Sequence, residues 1–173
     1  MTDKNSAHST LRERIVEHVF VGDVLRTLWC ANITDIEVLR SEFDAHGYDI
    51  VMTRGPIVRH IQLKTGTSRK PSNVSVSTSL ADKVGGCVIW IHVTPELDLG
   101  PYYWFGAPDG AALPSLARYP NALRATRNKQ GIRPTRVNHR LVPGRDFQLV
   151  PSLNGVLRYL FSDLALPKAV PLE

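Results

Sequence analysis

"GYDIVMTRGPIVRHIQLKTG", residues 47–66, decides how the rest of the chain is read. Two short apolar runs flank the turn tripeptide Arg54-Gly55-Pro56, so residues 48–53 and 57–65 read as adjacent strands. Side chains alternate along a strand, which puts His60, Gln62 and Lys64 on one face and Ile61 and Leu63 on the other. By the same rule Asp49 and Val51 share a face, opposite Ile50 and Met52. A half-buried hairpin thus carries an acid at the start of one strand and an amide and an amine near the end of the next.

Upstream, residues 35–40 ("DIEVLR") read as a first strand, and the acid-rich turn "SEFDAHG" leads into the hairpin, making a three-strand meander. From Thr10 to about Ala31 the pattern is helical, with Thr10 and Glu13 spaced as a capping box. Apolar residues on both sides of this helix predict that it is well buried. Glu17 begins a line continued by Val21, Val24 and Leu28. A carboxylate on that line either snorkels out at the helix end or is needed inside.

Downstream, "VSVSTS" (74–79) alternates like a strand, and residues 80–84 allow only about one helical turn. "GCVIWIHV" (86–93) is almost continuously apolar and reads as a central strand covered on both faces. "PYYWFG" (101–106) and "DFQLV" (146–150) are further strands. "SLNGVLRYLFSDL" is an amphipathic helix capped by Ser152 or Asn154. The expected organisation is a disordered tail at 1–9, one α/β domain over 10–166, and a flexible Pro-rich tail at 167–173.

The totals fit that picture. A chain of 173 residues with 43% apolar content can bury a single core. No apolar run approaches the ~18–20 residues of a membrane span, and "MTDKNSAHST" lacks a signal-peptide centre, so a cytoplasmic protein is expected. Cys30 and Cys87 both sit in apolar contexts and read as buried, reduced thiols. The histidines are scattered, with no helical i, i+4 pair to suggest zinc, and no Walker-type glycine loop occurs. His60 reads as structural, with substrate contact as the alternative. The aromatic residues Trp90, Tyr102, Tyr103, Trp104 and Phe105 read mostly as core.

The net charge is only +5, but its distribution is uneven. Residues 118–145 contain Arg118, Arg124, Arg127, Lys129, Arg133, Arg136, Arg140 and Arg145 and no acid. Such a block suits a polyanionic partner, and a solvated loop is the alternative. Arg69 and Lys70, in the loop after Lys64, are placed to meet a phosphate backbone on the same reading.

Helix, meander, then Asp49 followed by Gln62-x-Lys64: this arrangement resembles the restriction-endonuclease-like, or PD-(D/E)xK, nuclease superfamily. "SEFDAHGYD" is similar to the acid-glycine-acid approach to the second strand in the branch of Mrr-type restriction proteins and Holliday-junction resolvases. The resemblance covers roughly residues 10–93. It implies a restriction-endonuclease-like core with an added C-terminal strand and helix. It also implies a metal-dependent nuclease acting on DNA, in repair, restriction or anti-phage defence, and a homodimer. The catalytic set it implies is Glu17, Asp49, Gln62 and Lys64.

Phosphodiester hydrolysis needs a nucleophilic hydroxide, charge stabilisation at phosphorus and help for the leaving alkoxide, and Mg²⁺ or Mn²⁺ held by oxygen ligands serves all three. On this assignment Asp49, the amide oxygen of Gln62, the carbonyl of Leu63 and Glu17 hold the ion. Lys64 orients water or stabilises the transition state. Gln62 is neutral where many relatives carry Glu, so Glu17 supplies the second negative charge, with Glu42 or Asp44 as substitutes. One further departure matters. The full helix expected between the third and fourth core strands is missing, leaving a very short helix, a non-strand at 74–79 or a later helix at 111–125 as alternatives. The rival functions are an inactive nucleic-acid-binding module and a protein-interaction module on the same fold.

Overall fold

The computed structural model describes residues 8–41, 46–107, 111–124 and 126–166. Helix α1 spans Ser9–Cys30. The meander follows as β1 (Ile36–Arg40), β2 (Ile50–Arg54) and β3 (Ile57–Gly66). Next come β4 (Asn73–Ser77), a 3-10 turn at Thr78–Leu80, β5 (Gly86–Val93) and β6 (Leu99–Gly106). The chain closes with β7 (Asn121–Leu123), β8 (Thr135–Pro143), β9 (Gln148–Val150) and α2 (Leu153–Leu160).

Three layers result. The central six-stranded sheet has the order β1-β2-β3-β5-β6-β9, and β4-β8-β7 form a separate three-stranded sheet. Within the large sheet β3 and β5 run parallel; every other pairing is antiparallel. The strand register separates the two faces. Ile61 lies beside Cys87, and Leu63 beside Ile89, on the face covered by α1 and α2. Gln62 lies beside Val88, and Lys64 beside Trp90, on the face covered by the second sheet. β5 is buried along almost its whole length, as an apolar run between two layers must be.

The hairpin alternation holds: Ile50, Met52 and Ile61 are all fully buried on the helix side. α1 is pinned there by Val16, Phe20, Val21, Val24 and Leu28. At about 1.5–3 kcal/mol for each fully buried side chain, that row fixes the rotation of the helix, and with it the direction of Glu17. Ser152 accepts a hydrogen bond from Gly155 N and caps α2, as one of the two expected residues.

Several expectations are corrected. Thr10 does not cap α1: the helix begins at Ser9, and His8, in the capping position, makes no side-chain cap bond. α1 is buried on one side only, since Leu11, Ile15, Leu25 and Trp29 are exposed. The segment at 74–79 is a strand, but it belongs to the second sheet, and the missing helix is reduced to the 3-10 turn. The basic segment, for which a solvated loop was the alternative, contains the strands β7 and β8. Glu42, Asp44, residues 1–7 and 167–173 lie outside the described residues.

Cys87 is buried as expected, but Cys30 is exposed. The apolar stretch "LRTLWC" straddles the helix, sending Leu28 inward and Leu25 and Trp29 outward with Cys30. Burial pushes the Cys87 thiol up to about 12, against an opposing pull from the Arg59 charge. Thiolate is the reactive form, so a thiol reagent at neutral pH should label Cys30 alone in the native protein and both cysteines after denaturation. Mass spectrometry of the labelled chain checks this. Native labelling of Cys87 would contradict its placement.

Candidate active site

β2 and β3 separate at one end, and Asp49 sits there. Gly47 sets the approach: its φ is +75°, and a Cβ at that position would lie 2.2 Å from Ser77 Cβ of β4. Only glycine meets both conditions. Asp49 N then donates to Ile61 O (2.9 Å), while its Oδ2 accepts from Leu63 N (2.7 Å). The acid therefore brackets Gln62 and continues the ladder of β3 with a carboxylate where a strand would place a carbonyl. A charge-assisted bond of this kind orients the side chain firmly.

Across from it stands α1. Thr10, Glu13, Arg14, Val16 and Glu17 on the helix, with Asp49, Leu63, Lys64 and Thr65 on the strands, line one cleft of ≈ 370 Å³. Thr10, Glu13, Arg14 and Glu17 recur at helical spacing and so form one side of the helix. Glu17 is 9% exposed. Its Oε2 lies 3.3 Å from Arg14 Nη1 and its Oε1 lies 3.5 Å from Arg40 Nε. The inward carboxylate is thus needed inside, and it is shared between the cleft and two guanidinium groups. Among the described residues Lys64 makes no ion pair or side-chain hydrogen bond, so its ammonium is available to an anion.

Of the expected catalytic set, Glu17, Asp49 and Lys64, with Leu63, are brought together. Gln62 is not among the residues lining the cleft. It is 3% exposed, on the second-sheet face, and among the described residues its Oε1 is buried without a hydrogen-bond donor. Alternation along β3 makes this unavoidable, because Gln62 and the helix that carries Glu17 lie on opposite faces of the sheet. Lys64 reaches the cleft because it is nearer the open strand end. Glu13 was missed as a site residue. Its spacing four residues before Glu17 was visible, but the supposed capping role absorbed it.

The other histidines and cations have their own places. His60 Nδ1 contacts Val84 O at 2.8 Å, and its ring packs edge-on against Tyr48, a structural role. Arg69 and Lys70 are exposed in the loop that follows β3. Arg124, Arg127, Lys129 and Arg133 are exposed around the turn joining β7 to β8. Arg127 Nη1 donates to Gly131 O (2.6 Å) and so also holds the turn. Arg136 is half-buried against His139. Arg140 is engaged with Asn121 and Val137 O, and Arg118 lies 3.6 Å from Asp146. With Arg145 4.0 Å from Asp146, five of the eight cations of the basic block have partners within the fold, and the turn of the hairpin keeps the solvent-facing charge. No helix among the described residues is long and apolar enough to cross a membrane.

Neither protein-family models nor curated proteins give a match to this chain.

Proposed function

We propose that this chain is a metal-dependent nuclease that hydrolyses phosphodiester bonds in DNA, on a restriction-endonuclease-like core. The observation that carries the reading is the cleft at the open end of β2 and β3. There a hydrogen-bonded Asp49 and an inward Glu17 share one space with Lys64, which has no partner among the described residues. The chain order supports it: helix, antiparallel meander, then a strand parallel to β3.

The donor chemistry fits a hard divalent ion such as Mg²⁺ or Mn²⁺. Three carboxylates, Glu13, Glu17 and Asp49, line the cleft, and among the described residues Glu17 Oε1 is a buried oxygen that accepts no hydrogen bond. Asp49 and Glu17 would hold the ion, with the Leu63 carbonyl beside them. Gln62 stands outside the cleft and is not needed in this reading. Such an ion supplies charge at the scissile phosphate and acidifies bound water. The chain's own groups do the rest. Asp49 is oriented by Leu63 N–H, Arg14 and Arg40 set the Glu17 carboxylate, and Lys64 places a positive charge where negative charge develops at phosphorus. The Arg69–Lys70 loop and the β7–β8 turn would hold the DNA backbone.

A second reading, an inactive nucleic-acid-binding module, is favoured by the neutralisation of Glu17 and by the position of Gln62. One set of measurements separates the two. A nuclease nicks supercoiled plasmid with Mg²⁺ or Mn²⁺, stops with chelator, and loses cleavage in Asp49→Asn. A binding module retards the DNA and cuts nothing. Under both, removing Arg124, Arg127, Lys129 and Arg133 together should reduce the slope of log affinity against log salt by about 3–4, at ~0.9 per phosphate contact. An unchanged slope would remove the hairpin from the interface. Absence of both cleavage and binding would leave the protein-interaction reading.

A further inference from the structure

The geometry points to a binding mode for the β7–β8 hairpin: it enters the minor groove of duplex DNA, wedges Ile132 between two base pairs and bends the duplex there. This rests on the reading above that the partner is DNA. Past the paired strands the tip is built rather than loose. Arg124 N donates to Pro134 O (2.8 Å) and Asn128 N to Ile132 O (2.8 Å), while Asn128 Oδ1 accepts from Ile132 N (2.9 Å). Gly131 takes a φ of +77°, which closes the turn, and Arg127 Nη1 bonds its carbonyl. On this frame Ile132 stands 62% exposed, with Arg127, Lys129 and Arg133 exposed beside it in sequence. The bonds that fix the turn use its backbone and the Asn128 side chain, so the fold itself gives the Ile132 side chain nothing to do.

Two further aliphatic groups lie behind it. Ala122 and Arg136 pair on the inner face of the ribbon, where Ala122 is buried. Alternation puts Leu123, its partner Thr135, and Val137 on the outer face. Leu123 is 55% exposed and Val137 67%. Charge selects the class of partner. Residues 118–145 hold eight lysines and arginines and no acid, which suits a polyanion. The aliphatic outer face selects the groove. Sequence is read in the major groove chiefly by side-chain donors and acceptors, and Leu123 and Val137 offer neither. The minor groove sets apolar sugar walls between two rows of phosphates, and proteins that open it insert aliphatic wedges between base steps. The exposed cations of the turn are mostly arginine (Arg124, Arg127 and Arg133 against Lys129), the side chain drawn into a narrow A·T groove. A TA step, among the easiest to unstack, is the expected point of insertion.

The test uses the full-length chain in chelator, where cleavage plays no part. It should bind a short duplex with a central TA step more tightly than one of G·C pairs alone. Energy transfer between dyes on the two duplex ends should rise on binding, reporting the bend. An adenine analogue that brightens on unstacking, placed in the TA step, should brighten. Distamycin, which fills the A·T minor groove, should displace the protein. Ile132→Ser should lower affinity by about 10-fold at every salt concentration and abolish both the bend and the brightening. The slope of log affinity against log salt should not change, because no charge is lost. Ile132→Leu should keep all three properties, and both variants should fold, since the site is exposed. Binding without a bend, an Ile132→Ser variant that binds and bends as the wild type does, or displacement by the major-groove dye methyl green instead of distamycin would each overturn the wedge and leave the DNA reading standing. Failure to bind any duplex would overturn both. Uptake onto phosphatidylserine vesicles in that case, lost in Ile132→Ser, would make the tip a membrane contact instead.

Discussion

Lys64→Ala is expected to lower metal-dependent DNA cleavage by about 10²–10³-fold, the usual loss when one preorganised charge is taken from a phosphoryl or acyl transition state. DNA affinity at fixed salt should fall far less, because one cation among many contributes only about one unit of salt slope. The separation follows from position. Lys64 lines the cleft beside Asp49, while the exposed cations of the β7–β8 turn belong to the second sheet. Truncating Lys64 leaves the fold intact, since its ammonium has no partner among the described residues to orphan. Cleavage rates at saturating enzyme, beside retardation assays, give both quantities. If affinity and cleavage fall together by the same factor, Lys64 is only a phosphate contact. If cleavage is unchanged, Lys64 has no part in the chemistry. Gln62→Ala makes the complementary measurement. Because its side chain lies outside the cleft, its removal should cost much less cleavage than loss of Lys64. An equal loss would return Gln62 to the ligand set.

How much of this was legible follows from what each residue faces. The meander, β5 and α2 were visible because each presents a periodic apolar face to a layer that covers it. β8 was not, because only Val142 along it is fully buried and the strand therefore has no apolar alternation to display. Asp49 and Lys64 could be placed at one strand end from spacing alone. The separation of Gln62 from Glu17 could not, since it depends on which face α1 covers, and strand alternation leaves that choice open. The outer row of α1 was in plain view, but it was read as burial: sequence pattern reports an apolar surface without saying whether the same chain covers it. Arg59 shows a further limit. Alternation puts it on the face of Ile61, yet two of the acceptors it serves are about a hundred residues away in sequence.

Arg59→Met should be the most destabilising single substitution in the sheet, by about 3–5 kcal/mol, since three buried carbonyls lose their donor at about 1–3 kcal/mol each. Arg59 is 0% exposed. Its Nε donates to Leu160 O (2.6 Å), its Nη2 to Tyr159 O (2.6 Å) and its Nη1 to Ala107 O (2.7 Å). The guanidinium carbon also stands 5.8 Å from the centre of the Trp104 ring. Two of those carbonyls end α2, where helical carbonyls lack partners and the helix dipole is negative, so a buried cation acts as the C-terminal cap. The third lies just beyond β6, so one side chain ties the last helix to the middle of the sheet. Methionine fills a similar volume but leaves three acceptors dry, and an unmet buried acceptor costs more than a made bond contributes. Against a total stability of about 5–15 kcal/mol, the loss should bring the melting temperature down by roughly 10 °C or more. Arg59→Lys should recover only part, because a single ammonium lacks the planar fork that reaches three acceptors at once. The acceptors do not titrate, so the deficit should be the same at pH 6 and pH 8, unlike that of a carboxylate–histidine pair. Thermal melts followed by circular dichroism at both pH values measure it. A shift of only a few degrees for Arg59→Met would mean that water or neighbouring donors replace the guanidinium, and that α2 is held by its apolar contacts alone.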